Sequence, residues 1–403
     1  MKTTPKFAHR AFTIIELLVV VGIISVLVSI LLPAVSKARD GAAITCSAGN
    51  ISTLTKAAFS YAADFEDRHF TAIPDDAGST ALLGAPGGDC IKYLSQIACP
   101  GQQVLGFDTN GGLWGYWCST APFCPINIGS CDNWGVMMPF KFLDGPGSGG
   151  TGNTANPYYA TFGAHEVTNT KAINTYVNGR YYDKVFFACK DRYGLEGCEY
   201  AMQNEGEFTP NPANSQSVIF PTYMWSPANM VNQSCLSNAL ASASNTDCAR
   251  AGNQPVLGVA AYRAPKMGMA VFPDSKTYLV EKLWLQNRVG VPELNTNFLT
   301  PRCWVFNEGW NSNPVCAFLD GHVAQIGMGQ ASRDDKVVQF QNASAAMCPN
   351  GKGLWHRGTP CGTNGWFTTG AGFDPLIENA PTSFHTLTVG GIAGRDILKA
   401  SVN

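Results

Sequence analysis

The chain has 403 residues, including 14 cysteines, with a formal net charge of −2 and only 14% charged residues. Because this balance is close to neutral, the composition does not favour a protein whose main partner is nucleic acid or an acidic lipid surface. The length exceeds that of a usual single domain, and 42 glycines and 24 prolines indicate a loop-rich, strand-containing protein rather than a helical bundle.

The N-terminus combines a short basic stretch with one long apolar run. Three cations lie within the first ten residues, and residues 17–32 are apolar apart from one glycine and two serines. A helix of about twenty residues crosses a bilayer core, and residues 12–33 provide that length. Basic residues before such a helix are typical of a cytoplasmic start. The pattern predicts a cytoplasmic leader at 1–11 and a membrane-embedded helix at 12–33, which Pro33 breaks.

Glu16 is the unusual residue at the start of this run. A carboxylate in a membrane helix costs about 2–3 kcal/mol unless it has a partner. A cut before Phe12 creates an α-amino cation four residues away, which supplies a partner within one chain or between two packed chains. Two other interpretations remain open: a general secretory signal peptide that is cut after Ser36-Lys37-Ala38, and a plain membrane anchor. Neither of them explains Glu16.

The string Ala11-Phe12-Thr13-Ile14-Ile15-Glu16, with Pro33 further on, resembles the cleavage and methylation segment of type IV pilins and type II secretion pseudopilins. The resemblance implies that a prepilin peptidase cuts between Ala11 and Phe12 and that the new amine of Phe12 is methylated. Ala11 stands where the family usually has glycine. The resemblance also implies residence in the inner membrane before assembly, and contact with other pilin or pseudopilin subunits through the N-terminal helix.

Beyond Pro33 the apolar residues recur at steps of three, four or seven, which predicts an amphipathic helix over 34–66. They are Ile44, Ile51, Leu54, Ala58, Tyr61 and Phe65. In the pilin family such a helix lies against an antiparallel sheet. The predicted fold is therefore α+β and pilin-like: a long N-terminal helix packed on an antiparallel β-sheet, with large loop-rich, disulfide-bonded insertions. Residues 67–403 are predicted to form a globular domain outside the cytoplasm, in the periplasm or at the cell surface.

Several later runs of β-branched and aromatic residues predict strands. They occupy 217–225, 256–263, 267–272, 276–285, 315–319 and 322–327. Asp320-Gly321 separates the last two and predicts a two-residue hairpin turn with positive φ at both positions. With Cys46, Asn50, Tyr61, Asp64 and Cys99-Pro100, this pair resembles the large pilin-like proteins that end in an Asp-Gly signature; many of those have a histidine where this chain has Trp310.

All 14 cysteines follow residue 45, and none forms a Cys-x-x-Cys pair. This pattern favours disulfides made in an oxidising compartment over zinc sites. Short spacing favours four candidate pairs: Cys189 with Cys198, Cys235 with Cys248, Cys303 with Cys316, and Cys348 with Cys361. The connectivity as a whole stays open, as does the pairing of Cys46 and the other cysteines before residue 132.

No catalytic pattern emerges from the sequence. His165-Glu166 lacks the second histidine of a zinc peptidase helix, and there is no nucleophile elbow or phosphate-binding loop. Asp108-Thr109-Asn110-Gly111 is better explained as a turn than as a calcium loop. Asp320 and His322, with Glu281, are candidate metal ligands or an acid–base pair, but a hairpin tip explains them more simply. We therefore expect no enzyme activity, no cofactor and no metal.

The sequence predicts a structural pilin-like subunit, either a pseudopilin or a minor pilin, of a type II secretion or type IV pilus-like fibre. The alternative is a surface-anchored binding module that uses pilin-type processing for export and display. An extracellular enzyme is a third possibility without a catalytic constellation to support it. The expected partners are a prepilin peptidase, other pilin-like subunits and the inner membrane, and no nucleic acid.

Overall fold

The structure is a computed structural model of the chain. It describes residues 13–70, 102–117, 167–204, 206–211, 219, 221–230, 233, 264–281, 313–341, 353–355 and 388–398. The chain divides into two units, residues 1–45 and 46–403.

The first helix, α1, runs from Ile14 to Asp64. Pro33 lies inside α1, so the predicted helix break is wrong. A proline removes one backbone hydrogen bond and crowds the carbonyl four residues earlier. The helix-forming residues on both sides of Pro33 outweigh the loss of this hydrogen bond, and the helix continues beyond the proline.

The part of α1 in the second unit is amphipathic, as predicted. Its buried face includes Ile51, Leu54 and Ala58, which are at most 1% exposed. These residues lie three or four positions apart and therefore on one side of the helix. Phe65, the last residue of the predicted stripe, follows the end of the helix and is 50% exposed.

Two antiparallel sheets are present in the described part of the second unit. The smaller one is a hairpin of β1 (Gln102–Phe107) and β2 (Leu113–Trp117), which the sequence did not predict. The larger has the order β3-β4-β5-β6, with β3 Tyr223–Trp225, β4 Thr277–Glu281, β5 Val315–Phe318 and β6 Val323–Gln325. These four strands fall within predicted runs but are shorter than the runs.

The larger sheet is covered on both faces. Successive residues of a strand point to opposite sides, so Glu281 and Val280 of β4 face different layers. Glu281 pairs with Tyr223 of β3 on the side that meets α1. Val280 belongs to a core cluster on the other side. A bulge between Thr277 and Leu279 accompanies the contact of Tyr278 with α1.

Three more helices are described: α2 Lys171–Asn174, α3 Arg192–Met202 and α4 Met328–Gln341. Four 3₁₀ helices occupy Lys184–Phe186, Pro227–Asn229, Met267–Met269 and Gly391–Ala393. The strand predicted at 267–272 is therefore wrong. The amide of Met267 donates to the carbonyl of Asp67, so this segment bonds to the chain just after α1 instead of to the sheet. The strand predicted at 256–263 lies outside the described residues.

Candidate functional site

The first turn of α1 is closed by two polar side chains, Thr13 and Glu16. The amide of Glu16 donates to Thr13 Oγ1 over 3.3 Å, while the amide of Thr13 donates to Glu16 Oε2 over 2.9 Å. The Thr13 hydroxyl donates to the same carboxylate oxygen over 2.8 Å. This reciprocal pair is a capping box, which satisfies backbone donors that the helix itself leaves without partners.

The capping box gives Glu16 a role that the charge-pair hypothesis did not include. Ala11 and Phe12 lie outside the described residues, so the structure does not test the distance from Glu16 to a new α-amine. A cut between Ala11 and Phe12 leaves the amide of Thr13 intact, because that amide belongs to the bond after Phe12. The cap and an amine partner for Glu16 are therefore compatible. The Thr-x-x-Glu spacing was the sequence signal for this cap.

The helix surface in the first unit suits an apolar environment. Among the described residues, α1 is the helix that is long and apolar enough to cross a membrane, by length and composition. Its large apolar side chains from Ile14 to Val35 are 44–82% exposed. The hydroxyls of Ser25 and Ser29 donate to carbonyls of α1 over 2.8 and 2.7 Å, so both are satisfied within the helix. A helix that crosses a bilayer needs this internal satisfaction.

In the second unit, a covalent bond ties α1 to the globular domain. Cys46 is disulfide-bonded to Cys189, with 6.1 Å between their Cα atoms. Close to it, the hydroxyls of Ser47 and Tyr223 lie 3.0 Å apart, and Asn50 Nδ2 donates to the carbonyl of Phe187 over 3.0 Å. The helix is thus held at this point by one disulfide and by polar contacts to two different segments of the domain.

Glu281 is a buried carboxyl at the same junction, with 3% of the residue exposed. Ser47 Oγ donates to one of its oxygens over 3.5 Å, and the amide of Val315 donates to the other over 3.3 Å. Both distances are long for hydrogen bonds to a carboxylate. Burial raises the pKa of Glu281 to about 7, since removal from water disfavours the charged form.

The disulfide corrects one predicted pair. Cys189 bonds to Cys46 and not to Cys198, because the fold brings α1 against the segment that contains Cys189. Within the described part of the chain, Cys198 and Cys316 are buried thiols. The predicted bond of Cys316 with Cys303 is therefore wrong as well, because Cys316 carries a free thiol. The two remaining predicted pairs lie outside the described residues and stay predictions: Cys235 with Cys248, and Cys348 with Cys361.

The strands β5 and β6 form a hairpin across Asp320-Gly321, but the predicted turn type is wrong. The amide of Phe318 donates to the carbonyl of His322, and the amide of Gly321 donates to the carbonyl of Phe318. The loop therefore has three residues, 319–321, and among them only Gly321 has a positive φ, of +88°. Asp320 has no positive φ, and its side chain supports the turn by accepting a hydrogen bond from the amide of His322 over 3.0 Å.

The candidate ligands Asp320, His322 and Glu281 do not come together. Asp320 and His322 are at the hairpin tip, where His322 Nδ1 lies 2.5 Å from Asp320 Oδ1 and the ring stacks on Phe318. Glu281 lies at the opposite end of β4, since Thr277 at the other end of that strand pairs with Phe318. In the described ranges, no three side chains of His, Cys, Asp or Glu are arranged to hold a metal ion.

Asp108 forms a turn between β1 and β2. Its Oδ1 accepts hydrogen bonds from the amides of Asn110 and Gly112, and its Oδ2 accepts one from the indole of Trp114. These donors hold the pKa of Asp108 below its usual range. Both carboxylate oxygens are thus occupied by protein donors, which explains this loop without an ion.

Comparison with known families gives one match. The prokaryotic N-terminal methylation motif matches residues 6–32. No curated protein and no solved structure matches the chain. The match covers residues 6–11 of the predicted leader and most of the apolar part of α1, including Ala11, Phe12, Thr13 and Glu16, and it ends before Pro33.

Proposed function

We propose that this chain, a prepilin-type protein with a pilin-like fold, is a structural subunit, either a pseudopilin or a minor pilin, of a type II secretion or type IV pilus-like fibre. The observation that carries the proposal is the methylation motif at 6–32, which overlaps the start of a helix whose exposed side chains are mostly apolar. The chain is held in the inner membrane by this helix, with the globular domain outside the cytoplasm.

Processing supplies the contacts for assembly. A prepilin peptidase removes residues 1–11, and the amine of Phe12 is methylated. The cation at Phe12 and the carboxylate of Glu16 offset each other in an environment where either charge alone is costly. The apolar helices then pack against those of other subunits as they leave the bilayer, and the charge pair sets their register.

The size of the predicted domain favours the role of a minor or tip subunit. The predicted domain at 67–403 is far longer than packing of the helix requires, and a bulky domain limits how densely copies can repeat along a fibre. The Cys46–Cys189 disulfide suits this position, because it ties the helix directly to the domain. Force on the domain then passes to the helix through a covalent bond.

The capping box defines a sharp test of Glu16. Glu16→Ala removes both the charge and the cap, whereas Glu16→Gln removes the charge but keeps a side chain that serves in a capping box. We expect both variants to insert into the membrane, and both to be depleted from sheared fibres. Immunoblots of the membrane and sheared-fibre fractions measure this. Normal assembly of Glu16→Gln contradicts the charge-pair account and leaves the cap as the role of Glu16.

The surface-anchored binding module remains the alternative, and the size of the domain is the observation that favours it. Both functions use the same processing, so the location of the mature protein separates them. A subunit co-purifies with sheared fibres, whereas an anchored module stays in the membrane fraction. Retention of the wild-type chain in the membrane fraction, with fibres present, contradicts the subunit proposal.

A further inference from the structure

A buried lysine and a buried aspartate face each other where the C-terminal segment meets β4. Lys276 precedes β4, and Asp396 lies in the described segment 388–398. Both side chains are fully buried, and Lys276 Nζ lies 2.7 Å from Asp396 Oδ2. The amide of Asp396 also donates to the carbonyl of Ser275, which fixes the two backbones next to each other.

Hydroxyl groups form hydrogen bonds to both members of this buried pair. Lys276 Nζ donates to Thr388 Oγ1 over 2.8 Å, and the Thr388 hydroxyl donates to Asp396 Oδ1 over 2.5 Å. One hydroxyl thus bridges the amine and the carboxyl oxygen that is not bonded to the amine. The amide and hydroxyl of Thr277 both donate to the other oxygen, Oδ2. Nζ also donates to Ser226 Oγ over 2.9 Å.

We propose that Lys276 and Asp396 condense into an intramolecular amide bond with release of one water molecule. One proton of the ammonium first passes through the Thr388 hydroxyl to Oδ1. The neutral Nζ then attacks Cγ of Asp396, which is one C–O bond of about 1.2 Å beyond the oxygen it already contacts. A second proton follows the same route, so that Oδ1 leaves as water, and the third proton stays on the amide nitrogen. Oδ2 becomes the amide oxygen. No oxidant or other reactant is consumed.

Three features of the site favour this reaction. Two fully buried charges are costly to keep in a protein interior, and the amide removes both of them. Fixed proximity of reacting groups corresponds to effective concentrations of about 10⁵–10⁸ M. The two donors of Thr277 point at Oδ2, where negative charge develops when Nζ adds to the carboxyl carbon, so they act as an oxyanion hole.

The starting state is an ion pair. Although burial alone raises the pKa of Asp396, Lys276 and the neighbouring hydroxyls hold that pKa below its usual range. Burial lowers the pKa of the Lys276 ammonium, which makes release of its proton easier. Thr388 is the route for that proton, so it is a positioning and relay residue in this reaction.

Peptide mass spectrometry of the mature full chain tests the bond directly. After denaturation and reduction, trypsin cannot cut at an acylated Lys276, so we expect residues 267–282 joined to residues 396–399, lighter by one water than the sum of the two peptides. Separate peptides 267–276 and 396–399 in a fully folded, aged sample overturn the proposal. A mass loss that maps to other residues overturns it as well.

Variants of Thr388 show whether the bond forms by the proposed route. Thr388→Val removes the hydroxyl, and we expect the branched peptide to form about 100-fold more slowly, as for loss of a general acid–base group. Thr388→Ser keeps the hydroxyl and is expected to restore the branched peptide. Lys276→Arg keeps the charge but is expected to give no branch. Equal branching in the Val and Ser variants contradicts the relay, and tryptophan fluorescence confirms that each variant is folded.

Discussion

Replacing Glu281 by Gln tests the polar junction between α1 and the sheet. Glu281 is buried against Ser47 of α1 and the amide of Val315 in β5. The nearby charges oppose each other, because Lys190 lowers the pKa of Glu281 and Asp191 raises it. Burial is the largest influence, and it raises the pKa from 4.5 to about 7.

The size and sign of the effect on the free energy of unfolding follow from the difference between the pKa of Glu281 in the folded chain and in the unfolded chain. The folded chain binds the Glu281 proton more tightly than the unfolded chain does between pH 4.5 and about 7. The stabilising contribution of the protonated group is therefore complete below pH 4.5 and is lost as the pH rises to about 7. This difference in pKa corresponds to about 3 kcal/mol of the free energy of unfolding.

Urea unfolding of the full chain in mild detergent, followed by tryptophan fluorescence from pH 4.5 to 8, measures the effect. Gln resembles a protonated Glu, so we expect Glu281→Gln to match the wild type near pH 4.5 and to be about 3 kcal/mol more stable at pH 8. His69 works in the opposite direction, because burial lowers its pKa to about 4, but it is present in both proteins and cancels in their difference. A difference in stability that stays constant with pH refutes the reasoning.

Two other changes test the domain. Replacing Cys46 and Cys189 by Ser is expected to lower the free energy of unfolding by about 5 kcal/mol, because the bond joins residues 143 positions apart; urea unfolding measures this, and the recovery of both residues as free thiols from the wild type contradicts it. Gly321→Val is expected to cost about 2 kcal/mol, since a β-branched residue is strained at the φ of +88°. His322→Gln, the matched control at the hairpin tip, is expected to cost about 0.5 kcal/mol or less, and equal losses for the two variants contradict the turn assignment.

Local patterns predicted the parts of the fold that depend on local physics. The apolar run and the spacing of Ile51, Leu54 and Ala58 predicted both halves of α1, because the polarity of each side chain matches the environment that its face of the helix contacts. The break at Pro33 was predicted from a local cost of about 3 kcal/mol, which the surrounding helix overrides. Asp320-Gly321 predicted a hairpin. The length of its loop, however, depends on which residues of β5 and β6 pair, and this pairing is set by the sheet as a whole and not by the turn residues.

The features that the sequence did not predict mostly depend on contacts between residues that are far apart in the chain. Nothing near Cys46 indicates that Cys189 will be its partner, since only the packed fold brings these cysteines together. The side chain of Asp191 accepts a hydrogen bond from the amide of Gly194 and thereby caps α3, a helix that the sequence prediction missed although Leu195, Cys198 and Met202 recur at helical spacing. At the candidate site, the sequence indicated Glu16 through the cost of a charge in a membrane. The Thr13 cap was not predicted, although the Thr-x-x-Glu spacing is its local signal.

The mature N-terminus is the most direct test of the central claim that this chain is processed as a prepilin. Native protein recovered from membranes or fibres is digested, and its N-terminal peptide is identified by mass spectrometry. The account predicts a peptide that begins with N-methylated Phe12. A terminus at Arg39 instead indicates cleavage by a general signal peptidase after Ala38, and an intact Met1 indicates a plain anchor; either result contradicts the account.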